Sequence, residues 1–174
     1  TVVYPLIESA IRAHRGETFE EHRQRIGNLW AGFNKVAATN PHAARRRLLT
    51  AEEIVTPTTE NRFIGFPYPL AMNANNTVDQ SSAILMTSAE QALSLGVPKE
   101  QWVFLHAGTE ANDCSSLSER KELHRSPAIR LAGRKALELA GLEIDDLTTL
   151  ELYSCFPSVV QISSAELEIS HDRP

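Results

Sequence analysis

The spacing of apolar and polar positions divides the chain into a helical first part and an alternating second part. From Tyr4 to Ala13 a short amphipathic stretch runs up to Gly16 and predicts a helix. Thr18-Phe19-Glu20-Glu21 then has the form of a capping box, a hydroxyl followed three residues later by a carboxylate. Apolar residues at Phe19, Ile26, Leu29, Trp30, Phe33, Val36 and Ala37 keep helical spacing, and Asn40-Pro41 ends the pattern. The apolar face so formed is expected to be core or a dimer contact. From Pro41 to Leu70 the period is lost, apart from one expected helical turn at Thr50-Ala51-Glu52-Glu53. A stretch this long without periodicity points to a functional or partner-buried surface.

Further on, Ser82–Thr87, Trp102–Ala107 and Thr148–Leu152 read as short buried strands. Helices are expected between and after them. One opens at Ser88-Ala89-Glu90 and closes at Gly96. A second opens at Ser126-Pro127, runs to Ala140 and stops at Gly141, and a last one starts at Pro157 or Ser158 and runs toward Leu167. Strand and helix in alternation predict an α/β layer with a buried sheet.

Composition narrows the class. The 174 residues are 42% hydrophobic and 22% charged, the balance of a soluble globular protein, with a formal charge of −5. Residues 1–70 carry 9 basic and 7 acidic side chains, and residues 71–174 carry 8 and 15. The split marks two differently built halves, and the net sign argues against general nucleic-acid binding. No apolar run approaches the roughly 18 residues of a membrane span. The opening Thr1-Val2-Val3-Tyr4-Pro5 carries no signal-peptide pattern. Two cysteines, Cys114 and Cys155, fit neither a disulfide framework nor a zinc cluster, so a reducing, cytoplasmic setting without a metal is expected. Phosphate-binding glycine loops, a nucleophile elbow and a metal-spaced histidine pair are all missing from the sequence.

The order of motifs is more specific than any one of them. Ser126-Pro127-Ala128 leads through a helix to Ala140-Gly141, then to Asp145-Asp146, a strand, and Tyr153-Ser154-Cys155-Phe156. This passage resembles the thiolase superfamily, in which a comparable passage enters a catalytic tetrapeptide. That tetrapeptide is Asn-Glu-Ala-Phe in biosynthetic thiolases and His-Asp-Cys-Phe in sterol-carrier-protein type thiolases. Asp79-Gln80-Ser81-Ser82-Ala83 is similar to the turn that enters a buried strand at the end of the family's N-terminal domain. The wording of Thr50–Pro57 and Tyr153–Ser158 resembles that of actinobacterial thiolase-like proteins described as acetyl-CoA acetyltransferases.

The resemblance implies a layered α-β-α fold of which this chain is a central part. Residues 1–70 would be a largely helical and irregular loop domain, 71–96 the end of the N-terminal domain, and 97–174 the start of the C-terminal domain. It implies an acyl-CoA thioester as substrate or ligand, with no other cofactor and no metal, in lipid or sterol metabolism. Homo-oligomers are implied as well. The family's nucleophilic cysteine, Gly-His-Pro and Cys-x-Gly motifs are absent from these residues, so Claisen chemistry is not expected of them alone. Three functions stay open: part of an acetyl-CoA acetyltransferase-like enzyme, a non-catalytic acyl-CoA binding protein, or a steroid-CoA side-chain retro-aldolase working with an oligonucleotide-binding-fold partner.

Candidate site residues follow from the same alignment of motifs. Tyr153 takes the place of the family's Asn or His, as an acid/base or oxyanion donor, or else as a strand-end aromatic packed under the next helix. Ser154, Cys155 and Phe156 complete the motif, with Cys155 expected to be a buried structural thiol and Cys114 a surface thiol. Arg45, Arg46 and Arg47 form the densest basic cluster, suited either to the phosphates of coenzyme A or to a solvated turn. Among the histidines, His124 ranks first as a catalytic candidate because it precedes the Ser126-Pro127 segment, whereas His106 reads as a satisfied core residue. His14 and His22 lie on helical stretches without a guaranteed common face.

Overall fold

The computed structural model describes residues 3–75 and 77–170. Among them are six helices: α1 (Val3–Arg15), α2 (Phe19–Ala37), α3 (Ala51–Val55), α4 (Ala89–Ser94), α5 (Pro127–Ala140) and α6 (Pro157–Glu166). A small antiparallel sheet joins β1 (Phe63–Gly65) to β2 (Tyr68–Pro69).

Local chemistry sets the helix ends. At α2 the Thr18 hydroxyl accepts from the Glu21 N–H while the Glu21 carboxylate accepts from the Thr18 N–H, so two of the helix's orphan donors are satisfied reciprocally. Thr50 and Glu53 repeat the device at α3. Ser126 caps α5, Pro127 occupies its first turn, and Gly141 ends it at φ 68°, a conformation that costs a side-chain-bearing residue. Asp113, far from α5 in sequence, reinforces that cap by accepting from the Ser126 hydroxyl and the Ala128 N–H.

Packing assembles the helices around two apolar clusters. Ile26, Ile54, Val55, Tyr68, Met72 and Phe156 form the larger, with Tyr4, Trp30 and Leu49 packed against it. Ile7 and Ile11 of α1 meet Ile162 of α6 in the smaller. Helices α2 and α3 touch through Gly27, where a Cβ would lie 2.6 Å from Val55 Cγ1 and 3.2 Å from the Ala51 carbonyl oxygen. Only the outer part of the α2 apolar pattern stays outside: Phe19, Phe33 and Val36 are exposed.

Two expectations are corrected. The three runs read as buried strands adopt no regular structure; the apolar residues of the first two largely face solvent, Ile84 and Val103 each 90% exposed, while Leu150 and Leu152 of the third are half-buried. A strand needs a neighbouring backbone to take up its N–H and C=O groups. Among the described residues only β1 and β2 supply that to each other. For the same reason His106 is exposed rather than a core histidine. In the segment 41–70, otherwise expected to be irregular, α3 forms where a helical turn is expected, and the β1–β2 hairpin is the added order. Its order comes from asparagine: Asn61 Nδ2 donates to the carbonyls of Glu53, Ile54 and Thr56 at 3.0–3.1 Å while its Oδ1 accepts from Ala71 N–H.

A buried polar hub links the helices. The Glu8 carboxylate, fully buried on α1, receives the Tyr68 hydroxyl, His22 Nε2 lies 2.7 Å from it, and Gln161 Nε2 donates to it at 2.8 Å. On the other side of His22, Nδ1 lies 2.7 Å from Glu17, which also binds Arg15 and Arg25. Partial burial alone would raise the Glu17 pKa, but hydrogen bonds from Arg25, Arg15 and His22 prevail and hold it at about 2. Since the folded-state value lies below the ordinary 4.5, the carboxylate stabilises the fold above pH 4.5 and loses that effect as pH falls toward 2. Glu17→Gln should therefore lower stability at neutral pH by up to roughly 3 kcal/mol. Urea unfolding of the two proteins should converge as the pH is lowered from about 4.5 toward 2. Parallel curves across that window would rule out this role.

Candidate functional site

A groove of about 840 Å³ runs along α3 and is lined by Asn34, Arg45, Arg47, Asn61, Asn73 and Asn75 among others. Its walls follow from local hydrogen bonding. Asn34, on α2, donates to the Arg47 carbonyl at 3.0 Å and accepts from the Leu49 N–H at 2.7 Å, fixing the segment that carries both arginines. Arg47 also pairs with Glu53 at 3.3 Å. Of the three clustered arginines, Arg45 and Arg47 line the groove and Arg46 does not.

A backbone hydrogen bond links the groove wall to the Tyr153–Phe156 motif. Ala74 N–H donates to the Cys155 carbonyl at 3.0 Å, which sets Asn73 and Asn75 beside that tetrapeptide. Phe156 is buried between two aromatic rings, Tyr4 at 4.5 Å and Tyr68 at 4.9 Å between centroids. The Ser154 hydroxyl bridges the Phe156 N–H and C=O and so holds the backbone that enters α6, where Pro157 occupies the first turn. Tyr153, in contrast, is 80% exposed, and its hydroxyl lies 3.4 Å from Cys155 Sγ. That contact with the thiol raises the phenol pKa, so the group holds its proton at neutral pH and acts as a donor. Tyr4 is likewise shifted upward, by partial burial and then by Cys155.

The remaining candidates lie elsewhere. His124 stacks on His14 with centroids 3.9 Å apart, in a separate cavity between α1 and α6. Cys114 is exposed and Cys155 half-buried, and both are free thiols. Among the described residues, no group of three His, Cys, Asp or Glu side chains is placed to hold a metal ion. No helix there is long and apolar enough to cross a membrane. Sequence reading overlooked the groove's asparagines and Tyr4. For Asn34 the available signal was an amide within an otherwise amphipathic helix, whereas nothing near Tyr4 in sequence foretells its ring on Phe156.

No family model matches the chain. An acetyl-CoA acetyltransferase of Methanocaldococcus jannaschii is 25% identical over a region covering 56% of this chain and 29% of that protein. The solved structure of a monomeric SCP2-thiolase like protein type 1 from Mycobacterium smegmatis matches 99% of this chain with a TM-score of 0.89 and 39% identity. The chain belongs to the thiolase superfamily. It spans 38% of the length of that structure, so its helices and small sheet are part of the superfamily's α/β fold.

Within this thiolase-superfamily chain the two ends of the motif have opposite structural weight. Phe156→Ala should cost about 3–5 kcal/mol, the range for emptying a buried aromatic site. Tyr153→Phe, at an exposed position, should stay within about 0.5 kcal/mol of the parent. Denaturant midpoints measured side by side check both, and equal losses would show that Tyr153 is a packing residue.

Proposed function

We propose that this chain forms the acyl-CoA-handling face of a thiolase-like protein of the acetyl-CoA acetyltransferase kind. One observation carries the reading: a single groove has guanidinium groups at Arg45 and Arg47, beside the carboxylates of Glu52, Glu53 and Glu60, and is lined also by Asn73 and Asn75, between which Ala74 hydrogen-bonds the tetrapeptide. Guanidinium groups suit the diphosphate of coenzyme A, and amide and phenol donors suit a thioester carbonyl. The names of the two relatives support an acyl-CoA ligand, and their greater length supports a catalytic apparatus completed by further residues. In this reading residues 1–70 supply a loop domain, 71–96 close an N-terminal domain and 97–174 open a C-terminal one. The apolar runs at 82–87, 102–107 and 148–152 then pair within the completed sheets.

A second reading, binding of acyl-CoA without turnover, is favoured by Tyr153. A phenol that keeps its proton can hold a carbonyl oxygen but is a poor base. Calorimetry with coenzyme A tests the shared part of both readings. Arg45→Glu and Arg47→Glu should each weaken binding about five- to tenfold, the more so at low salt, because a phosphate partner is replaced by a like charge. Arg46→Glu, outside the groove, should leave affinity unchanged. Equal affinities in all three variants would exclude the groove as the coenzyme A site. Release of free thiol from acetyl-CoA by the protein that includes those further residues separates the readings: turnover lost in Tyr153→Phe indicates catalysis, and binding without turnover indicates a carrier.

A further inference from the structure

A second cavity, of about 640 Å³, opens between α1, α2 and α6 beside the turn at His124-Arg125. Three guanidinium groups border it, Arg15 from α1, Arg25 from α2 and Arg125 from the turn, and Glu166 is the one carboxylate among its lining residues. Each nitrogen of Arg25 already has a partner, Glu17 for Nε and Nη2 and Gln161 for Nη1. The other two have donors to spare. Arg15 commits only Nε, to Glu17, and Arg125 commits Nε and Nη2 to Glu166, so among the described residues three of their Nη groups have no partner. The imidazoles of His14 and His124 stack at the same cavity, and His124 Nε2 is buried without a hydrogen-bond partner. The Ser164 hydroxyl adds a further donor from α6.

We propose that this cavity is a binding site for a small tetrahedral dianion of the phosphate class, and that capture of the anion is coupled to proton uptake by His124, the ring stacked on His14. Forked guanidinium donors match the oxygens of a tetrahedral anion, and donors from three separate elements surround it as one side chain could not. Several groups bear on His124: His14 from α1, Glu122 and Arg125 from its own segment, and Glu166 from α6. Burial, followed by the neighbouring His14, lowers the His124 pKa and so disfavours the charged ring. A dianion reverses the balance by giving the added positive charge a counter-ion. The proton comes from solvent and no bond other than N–H is made. The buried carboxylate of Glu166 does not compete, because Arg125, Arg130 and the Ser126 N–H already satisfy it.

Two-dimensional NMR of the histidine rings tests the site on the protein itself, with inorganic phosphate and sodium sulfate as probes. Sulfate stays a dianion across the pH range, so any pH dependence of its binding belongs to the protein. Saturable shifts of the His14 and His124 resonances are expected with both anions, and sulfate should bind more tightly at pH 6 than at pH 8. Arg15→Gln should weaken both by about tenfold, the equivalent of one charge-assisted hydrogen bond. Arg15 is a half-exposed side chain at the end of α1, so this variant should keep its fold. His124→Phe retains a stacked ring and should abolish the pH dependence of sulfate binding. Linear, non-saturating shifts would overturn the proposal, as would an Arg15→Gln affinity equal to the parent's or a His124→Phe protein with unaltered pH dependence. Coenzyme A binding in the Arg45–Arg47 groove is read separately, so failure of one leaves the other standing.

Discussion

The Glu8 carboxylate is the constraint on which the described structure depends. It is fully buried, and a carboxylate without water is tolerated only when other groups meet its oxygens. Three side chains do so, and each comes from a different element: His22 from α2, Tyr68 from β2 and Gln161 from α6. Burial, and then the charge of Glu8, pushes the Tyr68 pKa far up, so its hydroxyl remains a donor at any ordinary pH. Helix α1 is thereby attached to the rest of the molecule at a defined register. Apolar contacts of Ile7 and Ile11 with Ile162 could by themselves tolerate sliding.

The same hub reaches the candidate site. Tyr68 gives its hydroxyl to Glu8 and its ring to Phe156, and Tyr4, on the helix that carries Glu8, stacks on the same Phe156 ring. The tetrapeptide is therefore held by the residue whose burial it requires, while Tyr153, three positions earlier, is left in the open. A rigid base and an exposed phenol donor are the arrangement a binding site needs when the ligand supplies the missing contacts. The asparagines at 34 and 61 do comparable work for the groove wall, replacing regular backbone pairing with side-chain amides. The apolar runs follow the opposite logic: their side chains are those of buried strands, yet no neighbouring strand covers them among the described residues.

Helix boundaries were readable because their causes are local. Thr18 with Glu21, Thr50 with Glu53, and Ser126 with Pro127 and Gly141 each lie within a turn or two of the end they set. The three apolar runs carry an equally clear pattern, yet among the described residues none of them forms a strand. Alternation and apolar runs state what a segment would bury, whereas pairing depends on a partner elsewhere. The site divided along the same line. Phe156 and the arginine cluster could be singled out by motif and charge. The selection of Arg45 and Arg47 over Arg46 required the path that Asn34 imposes on the segment.

The linear sequence by itself determined the helices, their caps and the order of motifs that relates this chain to the thiolase superfamily. All of these rest on contacts within a few residues or on the succession of residue types. Only the tertiary structure decided that Glu8, His22, Tyr68 and Gln161 share one buried site, and that Tyr4 and Tyr68 enclose Phe156. It also decided that His14 and His124 stack across a cationic cavity. The partners in these contacts stand between 14 and 153 residues apart, and burial makes each polar one costly unless the others arrive. That mutual requirement is a property of the packed molecule, which no short window of sequence contains.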